Sequence, residues 1–233
     1  ILGLVLAGIG GGTGCTRSGS SGSKADPNTL YLELSADPAT LNPITSSDYY
    51  ASLVQGYIFN SLMDRSEDTY GWIPSLAEKY EISKDGKSFT FTLREGVKWH
   101  DGQAFTADDV VYTLTYLTDP KVTLRYKAYW QWVKSVEKTG RNSVRIVAKI
   151  AAPDSLMYLA MRTPMYPKHA HEPAANKIDF ATKPVGTGPL RIIQVDKNTG
   201  IVGEKYKDYV ASPVKQASGV GRVVAQPIKD YGT

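Results

Sequence analysis

Residues 83–110 read SKDGKSFTFTLREGVKWHDGQAFTADDV, and this stretch decides the fold class. Lys84-Asp85-Gly86-Lys87 is turn chemistry, and the strict alternation that follows puts Phe89, Phe91 and Leu93 on one face. With Tyr80 and Ile82 before the turn, the pattern predicts a hairpin with one buried face. Val97 and Trp99 continue the alternation until His100-Asp101-Gly102 turns the chain. A complete helix start comes next: Thr106 caps, Asp109 answers from three residues on, and Phe105 staples to Val110. Val110, Leu114 and Leu117 carry the apolar stripe, and Asp119-Pro120 ends it.

The same alternation of strand and helix extends outward. Leu30, Leu32 and Leu34 alternate with polar neighbours and predict a strand. Asp37-Pro38 and Asn42-Pro43 then break the pattern, because the residue before proline is pushed out of the helical region. Tyr50, Leu53, Val54, Tyr57 and Ile58 fall on one helical face, with Asp48 or Ser47 as its cap. Downstream, residues 132–136 and the alternating Val144, Ile146, Ala148 and Ile150 predict a second strand pair about a turn at 138–142. Pro153-Asp154 opens a short helix to about Ala160, and a loop punctuated by Pro164, Pro167 and Pro173 runs to Pro184. Residues 185–189 (VGTGP) predict a tight turn in which Gly186 and Gly188 are turn formers. Leu190, Ile192 and Val195, and later Val223, Ala225 and Ile228, predict further strands. No internal repeat is present, and the chain reads as cut short just after a strand.

Composition narrows the function classes. The 233 residues carry 27 basic and 23 acidic side chains, a net charge of +4, and are 42% hydrophobic. That balance excludes intrinsic disorder, collagen and a polytopic membrane protein. Basic residues are scattered, so no nucleic-acid partner is implied. Tyrosine is abundant, 15 against 5 Phe and 4 Trp, and such amphipathic rings suit ligand-binding walls. Cys15 is the single cysteine and follows a continuously apolar stretch at residues 1–9. That stretch is too short to span a membrane and reads as the apolar core of an export signal. Gly12-Thr13-Gly14-Cys15 resembles the lipobox of bacterial lipoproteins, whose Cys thiol is acylated after cleavage. Residues 18–23 (SGSSGS) then form a flexible tether.

The residues that do chemistry in enzymes are largely missing. There is no G-x-S-x-G elbow and no phosphate-binding G-x-x-x-x-G-K-[ST] loop, and the sole Cys sits in the export segment. His100-Asp101 suits a side-chain-to-backbone bond in a turn better than a base and its orienter. His169-Ala170-His171-Glu172 is expected to be an exposed loop, with no metal, since structural zinc needs four ligands and no Cys is near. Asp108-Asp109 is explained by the helix dipole.

Residues 76–80 (LAEKY), 83–102 (SKDGKSFTFTLREGVKWHDG) and 105–110 (FTADDV) together resemble the signature of bacterial extracellular solute-binding proteins of family 5. These are the oligopeptide-, dipeptide- and nickel-binding receptors of ABC importers. Leu41-Asn42-Pro43, Tyr166-Pro167-Lys168-His169, residues 184–189 (PVGTGP) and residues 205–209 (KYKDY) follow in the family's order. The resemblance implies an α/β fold of the periplasmic-binding-protein type (type II, cluster C): lobe one with an inserted small α+β domain. The second lobe is expected to be missing from this chain. Lobe one would comprise residues 26–60 and 183–233, and residues 61–182 the inserted domain and its return loop; residues 1–25 are signal, lipobox and tether.

The implied function is capture of a peptide or related small solute for an ABC permease. The protein would be a monomer outside the cytoplasmic membrane, lipid-anchored through Cys15, with no catalysis and no cofactor. A sensor or interaction protein without transport is the alternative on the same fold. By block position the resemblance assigns ligand binding to Ser46, Ser47, Tyr49 and Ser52, to Tyr126, Tyr129 and Trp130, and to Arg162, whose guanidinium suits a carboxylate.

Overall fold

A computed structural model describes residues 26–227 apart from 35, 37, 125, 152–154, 162, 172–178, 181, 197–199, 214, 217 and 218. Residues 1–25, with the signal, the lipobox Cys15 and the tether, lie outside the described residues, as do Asp37, Pro153-Asp154, Arg162, Glu172, Pro173 and Ile228.

In chain order the elements are β1 (Thr29–Leu34), α1 (Tyr49–Ile58), β2 (Met63–Arg65), β3 (Trp72–Pro74), β4 (Ala77–Ile82) and β5 (Ser88–Leu93). Then come α2 (Ala107–Thr118), a 3₁₀ turn (Lys127–Trp130), β6 (Val133–Gly140), β7 (Ser143–Ala148), α3 (Ser155–Met161) and α4 (Lys168–His171). The last three are β8 (Leu190–Asp196), β9 (Gly200–Lys205) and β10 (Arg222–Pro227). They form three sheets. β1 lies parallel to β10, and β9 and β8 continue that sheet antiparallel. Residues from the two ends of the described chain therefore share one sheet, and the intervening chain builds the β2-β3 ribbon and the sheet β4-β5-β7-β6.

The predicted hairpin is β4-β5, with Phe89, Phe91 and Leu93 at 1%, 0% and 2% exposure. Each of these side chains contributes on the order of 2 kcal/mol through burial. Phe89 and Phe91 pair across to Ile146 and Val144 of β7, so the buried stripe is continuous over three strands. α2 packs against β6 and β7. Its capping box is formed: Asp109 Oδ2 accepts from Thr106 N (2.8 Å), and Phe105 and Val110 are both buried. Asp109 is itself buried and also accepts from Lys168 N (2.9 Å), so one carboxylate caps α2 and anchors α4. Burial raises its pKa above the usual carboxylate value. One contiguous core runs from Leu34, Ile201 and Ala225 through Ile58 and Leu62 to Phe89, Leu114 and Ile146.

Four expectations change. β6 runs on to Gly140, so the turn of the second strand pair is tighter than residues 138–142. β9 was not legible from a sequence in which Gly200 and Gly203 interrupt Ile201 and Val202. Residues 168–171 form a short helix, not an exposed loop: His171 Nδ1 pairs with Tyr112 Oη (2.7 Å), inside a ring of Tyr116, Tyr166 and Phe180. His169 Nε2 meets Asp101 Oδ2 at 2.6 Å. Finally, Gly186 and Gly188 serve close approach rather than turn dihedrals. A Cβ at Gly186 would stand 2.0 Å from Ile58 O, and one at Gly188 would stand 2.2 Å from Tyr57 O. The 185–189 turn therefore lies directly against the C-terminal end of α1.

Candidate ligand-binding cleft

α1 presents two faces. Asp48 caps it, with Oδ1 accepting from Tyr50 N (2.6 Å) and Ala51 N (3.0 Å), which fixes the helix start and hence its rotation. Leu53, Val54, Tyr57 and Ile58 face the mixed sheet across a small apolar concavity of about 130 Å³, walled by Leu32, Leu190, Ile192 and Val223. Glu33 is the one charged side chain in its lining, which is otherwise almost wholly apolar, so the concavity lacks the several convergent polar groups that fix the orientation of a solute. Ser52, Gln55, Gly56 and Phe59, spaced i, i+3, i+4 and i+7, line the other side of the helix. That face borders a cleft of about 310 Å³, completed by Pro43, Ile44, Ser61, Asp64, Tyr126, Tyr129, Trp130, Pro164 and Lys215.

One wall is aromatic. Tyr126 stacks on Tyr129 with centroids 5.2 Å apart, and Tyr129 stacks on Tyr158 at 5.1 Å. The 3₁₀ turn that carries these rings is pinned from both sides. Trp130 Nε1 donates to Thr163 Oγ1 (2.9 Å), whose hydroxyl donates to Tyr158 O (2.7 Å), and Trp132 Nε1 donates to Tyr129 O (2.9 Å). Stacked rings held this way form a rigid platform for apolar or planar groups.

Another part of the lining is polar. Lys215 Nζ donates to Asn60 Oδ1 (2.8 Å) and Phe59 O (3.1 Å), placing an ammonium at the C-terminus of α1, where the helix dipole favours it. Burial lowers the Lys215 pKa, and the nearby Asp64 carboxylate opposes that shift. Asn60 is buried and its Nδ2 donates to Thr187 O (3.1 Å), so the lysine, the end of α1 and the 185–189 turn are joined. The carboxamide nitrogen of Gln55 is buried with no hydrogen-bond partner.

Of the residues proposed from sequence, Ser52, Tyr126, Tyr129 and Trp130 are brought together around this cleft. Ser46, Ser47 and Tyr49 are not among its lining residues. Ser46 Oγ accepts from Asp48 N (3.3 Å), Ser47 is exposed, and Tyr49 is 69% exposed with its ring edge-on to Tyr50. Arg162 is outside the described residues. Sequence reasoning missed Gln55, Asp64 and Lys215. Gln55 was accessible as the i+3 neighbour of Ser52 on the polar side of α1. Lys215 had no such signal, because its place in the cleft comes from a return of the chain more than 150 residues after Asn60, as the Lys215–Asn60 bond records.

No group of three or more His, Cys, Asp or Glu side chains suited to a metal occurs among the described residues. No helix among them is long and apolar enough to cross a membrane.

The family described as bacterial extracellular solute-binding proteins, family 5 Middle, matches residues 71–233. The chain belongs to that family. It is 34% identical to the oligopeptide-binding protein OppA of Bacillus subtilis over 167 residues, covering 70% of this chain and 30% of that protein. It is 31% identical to the dipeptide-binding protein of Escherichia coli over 205 residues, covering 78% of this chain and 38% of the relative. The crystal structure of NikZ from Campylobacter jejuni in complex with Ni(L-His) superposes with a TM-score of 0.75 at 27% identity, covering 87% of this chain and 40% of that one. The chain thus spans well under half the length of the relatives it matches, and the fold is that of family 5 binding proteins.

Proposed function

We propose that the protein is the solute-capturing component of an ABC-type importer, working outside the cytoplasmic membrane and passing a peptide or related small solute to a permease. The observation that carries this reading is the cleft: a rigid tyrosine platform, a tethered ammonium and an unpartnered amide line one cavity in a chain of the solute-binding family. Such a site binds by shape, stacking and a few convergent polar groups. Ser52, Tyr126, Tyr129 and Trp130 form its solute wall. Arg162 precedes the cleft residue Pro164 by two positions and supplies a further contact, and Ser46, Ser47 and Tyr49 border the same helix start. The sheet topology supports residues 61–182 as an insertion between the two parts of lobe one, since strands β2 to β7 pair only among themselves. Cys15 carries the lipid that holds the receptor to the membrane surface.

The test is mass spectrometry of the complete protein purified without denaturation. A peptide or small solute released unchanged on acid treatment, whose uptake is lost when the gene is deleted, supports the reading. Chemical conversion of that solute by the purified protein overturns it.

A further inference from the structure

Resting on the solute-binding reading, we infer that Lys215 and Gln55 form a carboxylate-accepting end of the cleft, so that this receptor selects solutes bearing a carboxylate. An ammonium has three N–H donors and no acceptor. Two of those of Lys215 are spent on Asn60 Oδ1 and Phe59 O, and the third has no acceptor among the described residues. No ion pair within 4.0 Å compensates the charge among those residues, although Asp64 lines the same cleft. Asp64 is the only carboxylate in that lining, and its Oδ1 is engaged by Arg65 N at 2.9 Å.

Gln55 adds the second donor. Its buried nitrogen lacks a partner, as do Trp99 Nε1 and Thr187 Oγ1, and of these three residues Gln55 alone lines the cleft, where a solute can satisfy it. Gln55 and Phe59 are one helical turn apart, joined by the bond from Phe59 N to Gln55 O (2.9 Å), and Lys215 is bound to Phe59. Both donors thus belong to the C-terminal half of α1 or are tied to it, and both residues line the same cleft. A group that accepts from an ammonium with no direct ion pair and from an amide together is best matched by one with two or more lone pairs and a negative charge, closer to Lys215 Nζ than the Asp64 carboxylate is. A carboxylate has both, and a neutral hydroxyl or amide oxygen leaves the buried charge unpaired. The tyrosine platform then takes the apolar body of the same solute.

The complete protein is tested by calorimetry against matched probes: tri-alanine and its C-terminal amide, succinate and succinamide. The expected result is at least about tenfold tighter binding of a carboxylate than of its amide, removed in Lys215→Met, reduced in Gln55→Leu and largely kept in Lys215→Arg. Circular dichroism melts confirm that each variant is folded. Equal affinity for acid and amide, or a preference that survives Lys215→Met, overturns the inference. A co-purified solute with no carboxylate also overturns it while leaving the importer reading intact, and enzymatic turnover removes that reading instead.

Discussion

Acidification is expected to loosen the junction between α1 and the 185–189 turn through one buried imidazole. His100 is 4% exposed, and its ring bridges the turn: Gly186 N donates to Nδ1 (3.3 Å), leaving the Nε2 hydrogen to donate to Gly188 O (2.9 Å). A proton on Nδ1 would set two donors against each other. Desolvation is the main cause of a pKa lowered to about 4, the Gly188 carbonyl opposes it, and the neighbouring Arg191 adds a smaller push in the same direction as burial. The folded pKa therefore lies below the value of 6.5 taken for an unperturbed histidine. The unfolded chain binds the extra proton first, so the neutral ring's contribution is present in full above about pH 6.5 and is lost as pH falls through the window down to about pH 4. From about pH 7 to about pH 5, linkage gives a loss of about 2 kcal/mol from this group.

His171, whose pKa burial also lowers, adds a loss of the same sign, so the test is differential. His100→Gln keeps a donor near the Nε2 position and cannot titrate. It is expected to be less stable at neutral pH, where the Nδ1 acceptor is lost, but to give back most of that 2 kcal/mol on acidification. Urea unfolding of both proteins at the two pH values measures this. An equal loss in wild type and His100→Gln would show that the ring is not the source.

Three further outcomes follow from the packing. Gly186→Ala forces a methyl toward Ile58 O at 2.0 Å, and the backbone of α1 cannot yield as a flexible side chain would; the expected cost is about 2–4 kcal/mol by urea unfolding, and a cost below about 0.5 kcal/mol would refute the close-approach reading. Asp109→Ala removes a buried acceptor and unpairs the part-buried backbone donors of Thr106 and Lys168; the expected cost is about 1–3 kcal/mol, with Asp109→Asn costing less because one acceptor remains; equal losses would show that hydrogen bonding is not what Asp109 supplies. Lys138→Ala removes the exposed pair with Asp108 (2.7 Å, side chains 43% and 52% exposed) and is expected to change stability by less than about 0.5 kcal/mol, in contrast to the two buried sites.

How much was legible follows from the range of each interaction. The β4-β5 hairpin, the α2 capping box and the Asp48 cap of α1 are decided by neighbours within a few residues, and each is formed as the sequence pattern predicts. β9 was hidden because its two glycines break the alternation; its pairing with β8 and β10 supplies the order that local propensity does not. Gly186 and Gly188 were seen as special, but their reason lies at Ile58 and Tyr57, more than 100 residues away, as the Asn60–Thr187 bond beside them also shows. Tyr126, Tyr129 and Trp130 of the tyrosine wall were reached through their block position in the family the sequence resembles, not through a local pattern of their own. Their partner Tyr158 and the cation at Lys215 join them only through tertiary contacts.

Those long-range ties meet at one place. Ile58, Phe59 and Asn60, at the end of α1, receive Gly188 N on Ile58 O (2.8 Å), Met165 N on Asn60 O (3.0 Å) and Lys215 Nζ on Phe59 O, while Asn60 Nδ2 reaches Thr187 O. Three chain segments far apart in sequence are thus fastened to three residues, and the polar end of the cleft is built from the same atoms. A solute engaging Lys215 there adds its binding free energy to the folded state alone, since the unfolded chain has no such site. Stability and the proposed capture site share these atoms, so a methyl on Gly186 or a proton on His100 is expected to shift Lys215 as well as to destabilise the fold.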